Sequence, residues 1–176
     1  MKAEEIRALQ APLKARYRGD PQAAVVTLSA EGRLSEGLSC SVATGQALVK
    51  AGLHPATGGT GELACSGDLL LQALVACAGV TLSAVATALG IELRSGTLRA
   101  EGDLDFRGTL GVSRDVPVGF SAIRVAVHVD SDATPEQLSK LMELTERYCV
   151  VLQTLRTSPP LTLTLQPGAR PQGTPG

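Results

Sequence analysis

The sequence predicts an α+β fold in which antiparallel sheets pack against two long helices per chain, the first, about residues 67–89, central and buried in a homodimer. Three observations predict it. Two segments alternate apolar and polar residues as half-exposed strands do. A third opens with a helix cap and keeps a helical period. The run from Leu69 to Leu89 carries no charged side chain at all.

In chain order, residues 2–16 repeat apolar positions at Ile6, Leu9 and Leu13, a short amphipathic helix weakened by Pro12 and read as part of an N-terminal arm, residues 1–20. The main domain spans 21–167. Its first segment, AAVVTLSAEGRLSEGLSCSV, reads as two strands joined at Glu31-Gly32, with Val26, Leu28 and Ala30 on one face and Leu38, Cys40 and Val42 on the matching face. Residues 43–65 are rich in turn pairs (His54-Pro55, Gly58-Gly59, Thr60-Gly61) and predict a loop, with one turn of helix at Gln46–Lys50.

The uncharged helix follows, with Ser66 as its expected N-cap, Asp68 in the first turn and Gly90 at the C′ position. TLRAEGDLDF puts Leu98, Ala100, Leu104 and Phe106 on one side and Arg99, Glu101, Asp103 and Asp105 on the other. FSAIRVAVHVD repeats this with Ile123, Val125, Val127 and Val129, after a long loop. TPEQLSKLMELTERYCVVLQTLR predicts one helix with a capping box from Thr134 to Gln137, Pro135 at N1, and Cys149 on the apolar stripe. LTLTL closes as a strand, and residues 168–176 form a flexible tail.

The Leu69–Leu89 helix is long enough to span a bilayer, but its flanks are Asp68 and Glu92, with no basic or aromatic anchors, which predicts no membrane partner. A helix apolar all round is instead buried on all sides. One small sheet and one other helix cover only part of it, so a second copy of the chain is the expected cover. Ala76, Ala78, Gly79, Ala84, Ala86 and Ala88 let backbones approach closely.

Sixteen Lys and Arg against seventeen Asp and Glu leave a net charge of −1, which predicts no nucleic-acid partner. Aromatics are 2% of the chain, so Leu, Val and Ala must fill the core. The N-terminus is charged throughout and lacks an apolar signal core, which predicts a cytoplasmic protein. Its four cysteines, Cys40, Cys65, Cys77 and Cys149, form no C-x-x-C pair and have no nearby histidine pair, so neither a metal nor a cofactor is expected. Cys40, Cys65 and Tyr148 are read as structural, and His54 and His128 as surface residues.

A turn-rich loop, then SGDLLLQALVACAGVTL, a strand meander, and ERYCVVLQTL with a second cysteine resemble the OsmC/Ohr superfamily of osmotically inducible and organic-hydroperoxide-resistance proteins. The resemblance covers about residues 23–166. It implies an intertwined homodimer with its sites at the subunit interface, and a thiol-dependent peroxidase that reduces organic hydroperoxides. By position, Cys77 would be the attacking thiolate and Cys149 the resolving thiol, 149 − 77 = 72 residues later. An external dithiol would restore both.

An apolar helix interior raises a thiol pKa, whereas only the thiolate attacks an O–O bond, so a cation must reach Cys77. The resemblance points to Arg33 for that role. The family's glutamate motif is replaced by Cys65-Ser66-Gly67-Asp68-Leu69, leaving Asp68 as the nearby acid, one position displaced and turned by about 100°. That departure keeps a second reading open: a non-catalytic protein that binds a small apolar ligand at the dimer interface.

Overall fold

The computed structural model describes residues 48–111 and 113–166 in full, the backbone of 32–35 and 39–43, and single positions at Lys2, Glu4, Glu5, Ala8, Ala11 and Ala15. The stripe of Ile6, Leu9 and Leu13, the segment Val26–Ala30 and the tail lie outside the described residues.

β1 (Gly32–Ser35) pairs antiparallel with β2 (Ser39–Ala43), Gly32 opposite Val42 and Ser35 opposite Ser39. Gly32, expected in a turn, stands instead in β1, held there by its ladder pairing with Val42; Glu31 and the expected partner strand lie outside the described residues. β3 (Leu48–Gly52) then pairs antiparallel with β2 and replaces the expected turn of helix, because ladder pairing such as Val49 with Val42 outweighs a weak local helix signal. A 3₁₀ turn over Pro55–Thr57 follows, capped by His54, whose Nδ1 accepts the Ala56 N–H at 3.1 Å. β4 (Ala64–Cys65) adds to β3 in parallel and completes a four-stranded sheet.

α1 (Ser66–Leu89) starts one residue earlier than expected, with Cys65 rather than Ser66 as N-cap and no side-chain capping bond. Its end is as the sequence predicts: Gly90 takes the left-handed conformation (φ 71°), donating to Thr87, while Ile91 donates to Ala86. Leu74, Ala78, Leu82 and Ala86 are buried, a stripe of four-residue spacing. The helix is long and apolar enough to cross a bilayer, yet this stripe packs on the sheet and helices that follow. The expectation of burial on all sides is not met within one chain, since Val80 on the far side is 73% exposed.

β5 (Ser95–Asp103) and β6 (Ala122–Asp130) form a second, two-stranded antiparallel sheet, Ser95 opposite Asp130 and Asp103 opposite Ala122. Their alternation is as predicted, with Leu98, Ala100, Ile123, Val125, Val127 and Val129 turned inward toward α1. The intervening loop contains one short helix, α2 (Phe106–Thr109), capped by the Asp105 carboxylate on the Arg107 N–H at 3.0 Å.

α3 (Pro135–Tyr148) begins with the predicted capping box: Gln137 N–H donates to Thr134 Oγ1 at 3.3 Å and Thr134 N–H to Gln137 Oε1 at 2.8 Å. The expected single helix over 134–156 is corrected to two, because Cys149 leaves helical geometry (φ −72°, ψ 105°) and α4 (Val150–Arg156) starts afresh. In a continuous helix Val150 N–H would donate to the Glu146 carbonyl. Here the Gln153 side-chain amide takes that carbonyl at 2.7 Å. LTLTL forms no strand: none of the described strands pairs with it, and Leu163 is 95% exposed.

Candidate active site

Cys77 lies on α1 between the buried Leu74 and Ala78, itself half-buried. Cys149, 0% exposed, sits at the α3–α4 break and packs into the same cluster, with Leu152 and Leu155 from α4 and Ile123 and Val125 from β6. The fold thus brings together two thiols 72 residues apart in the chain (149 − 77), both free.

Their surroundings treat them differently. Burial works to raise the Cys77 pKa, but the Val151 N–H, the Cys149 thiol, the Val150 N–H and the Thr81 hydroxyl together outweigh it and hold Cys77 below the ordinary cysteine value. Burial pushes Cys149 up, and the neighbouring Cys77 sulfur pushes it further, against the peptide groups of Leu152 and Val151. One thiol is prepared to ionise, the other to stay protonated and donate to it.

The donors that do this were not read from the sequence. Two are main-chain N–H groups made available by the helix break, and the segment TERYCVVLQ contains neither Gly nor Pro to announce it. Thr81 could have been found from its spacing, one turn after Cys77 on a helix.

Asp68 is not brought to Cys77 within the chain: nine residues of helix separate them by about 13 Å and half a turn. It is exposed in the first turn of α1. Arg33 belongs to β1, its backbone opposite Ser41, and its side chain lies outside the described residues. Cys65 and Asp68 line a separate cavity of about 350 Å³ with Phe106 and Phe120. His54 lines it too, stacked on Phe106 at 4.9 Å, so it is a half-buried capping residue rather than the expected surface one. Tyr148, expected to pack, is largely exposed beneath the Arg147 guanidinium.

Beside the thiol pair lies an apolar cleft of about 540 Å³ between β6, α3 and α4, walled by Leu74, Ile123, Val125, Leu152 and Leu155, with an Arg156–Glu146 ion pair among its lining. Among the described residues, no cluster of His, Cys, Asp or Glu could hold a metal ion.

The profile of the OsmC-like protein family matches residues 59–164. The fold is similar to that of an OsmC-like protein from Mycoplasma pneumoniae (17% identity, 76% of this chain and 89% of that one, TM-score 0.65). It is also similar to an organic hydroperoxide resistance protein from Elizabethkingia anophelis with thiocyanate bound (18%, 77% and 91%, TM-score 0.57). A third likeness is to the organic hydroperoxide resistance protein OhrB of Bacillus subtilis (20%, 77% and 94%, TM-score 0.51). No curated protein sequence matches the chain.

Proposed function

Because the chain belongs to the OsmC-like protein family, we propose that it is a cytoplasmic, homodimeric thiol peroxidase that reduces organic hydroperoxides through Cys77 and Cys149. The observation that carries this reading is the meeting of the two thiols, with Cys77 held toward ionisation and Cys149 kept protonated beside it.

The Cys77 thiolate attacks the outer oxygen of the hydroperoxide, the O–O bond breaks, and the departing alkoxide takes a proton to leave as an alcohol. Cys77 becomes a sulfenic acid. Cys149 then attacks that sulfur, a disulfide forms, and water leaves. An external dithiol restores both thiols and is itself oxidised to a disulfide. Arg33 is the proposed assisting cation, and Asp68 the acid that serves the α1 terminus. The exposed far face of α1 supports a second copy as its cover.

One equivalent of an organic hydroperoxide added to reduced protein is expected to produce a Cys77–Cys149 disulfide in peptide maps, and Cys77→Ser to abolish peroxide consumption. Cys149→Ser is expected to stop after one turnover with Cys77 oxidised. Cys77 still free after excess hydroperoxide would refute the reading. The second reading, binding of a small apolar ligand without catalysis, is favoured by the cleft, whose lining does not include Cys77. That outcome would promote it.

A further inference from the structure

Thr81 stands one helical turn after Cys77, half-buried, with its hydroxyl 2.8 Å from the Cys77 carbonyl oxygen. We propose that this hydroxyl is a switchable donor to the Cys77 sulfur: it donates to the carbonyl while the sulfur is a neutral thiol, and turns to the sulfur once the proton has left. The assignment rests on the reading of Cys77 as the attacking thiol and makes Thr81 a positioning residue for it.

Helical side chains lean back toward the N-terminus, so a residue at i+4 covers the turn that carries residue i. Threonine in a helix divides between two χ1 rotamers, one of which bonds the i−4 carbonyl, so the two states needed are both ordinary ones. The carbonyl left behind is not orphaned, because it keeps the helix bond from Thr81's own N–H. The hydroxyl exchanges a supplementary bond to a neutral oxygen for one to an anion, and bonds to ionised partners are about twice as strong.

The same hydroxyl is among the groups that favour the charged form of Cys77. Ser83 and Thr87 make the same back-bond, to Gly79 at 3.0 Å and Ser83 at 2.8 Å, but neither has a thiol one turn back. Cys77 packs against a cluster of Leu74, Ala78 and Cys149, the last itself titratable, whose other partly buried members are all apolar.

The test is the pH profile of Cys77 alkylation by iodoacetamide in the reduced full-length protein, resolved by peptide mass. Thr81→Val is expected to move the midpoint upward by about one pH unit, since it removes a hydrogen bond to a charged group. Thr81→Ala, which keeps packing strain out of the comparison, is expected to move it likewise, and Thr81→Ser to leave it in place. A midpoint unchanged in both Val and Ala variants overturns the assignment, as does a Ser variant that moves with them. Hydroperoxide consumption by the unaltered protein is read separately. Its absence removes the peroxidase reading, while the alkylation profile alone decides the role of Thr81.

Discussion

α1 and α3 each bury one stripe against the rest of the chain, and they differ in what that stripe leaves over. α3 buries Leu141 and Thr145 and turns Lys140, Glu143 and Arg147 to solvent, so that its exposed Met142 and Tyr148 stand among charges. α1 buries Leu74, Ala78, Leu82 and Ala86, yet its remaining faces present Leu70, Val80 and Leu89, all exposed. Two different requirements therefore act on α1. Its inner stripe answers to β5, α3 and α4, and its outer face is left exposed, for which a second copy is the proposed cover.

The largest expected effect tests that outer face. Val80→Lys is expected to convert a dimer into a folded monomer in sedimentation, with the helical circular dichroism retained. A variant that remains dimeric would erase the distinction between the two helices. Next is the inner packing: Leu141→Ala on α3, where the native side chain is 1% exposed, is expected to lower urea stability by about 2–5 kcal/mol.

A smaller effect separates the role of α4 from both. Val150 is the first residue of α4, where proline is accepted, and the extended Cys149 is what a residue before proline adopts. Val150→Pro thus removes one N–H from Cys77 and keeps the helix, and the Cys77 alkylation midpoint is expected to rise by about one pH unit. Sign follows from the charge: the lost donor favoured the thiolate, so its removal raises the pKa, and alkylation at neutral pH slows.

The smallest effect concerns the helix starts. Thr134→Ala removes the capping box of α3 and is expected to cost about 1 kcal/mol. Ser66→Ala at the start of α1, where no side chain caps, is expected to fall within about 0.5 kcal/mol. Equal losses at the two sites would contradict the assignment of Cys65 as N-cap.

What was legible in the sequence was local. Thr134, Pro135 and Gln137 announce α3, Gly90 ends α1, and alternation sets the inward faces of β5 and β6, because each signal is contained within a few neighbouring residues. What was missed depends on distant partners. β3 exists through pairing with β2, and Gly32 is drawn into β1 by that same sheet. LTLTL has the alternation of a strand, but among the described residues no strand lies beside it. The break at Cys149 is held by the Gln153 amide replacing a main-chain donor at Glu146, an exchange with no signature in composition or period. For the site, the two cysteines were visible by resemblance, whereas the peptide donors at Val150 and Val151 required the break to be seen.

The meeting of Cys77 with Cys149 has one consequence for the chain as a polymer. A bond between them would close a loop 72 residues long (149 − 77) that takes in β5, β6 and α3. Closure on that scale removes conformations from the denatured chain worth about 4 kcal/mol. An oxidised molecule would therefore outlast a reduced one in denaturant, and its durability would report its recent exposure to oxidant.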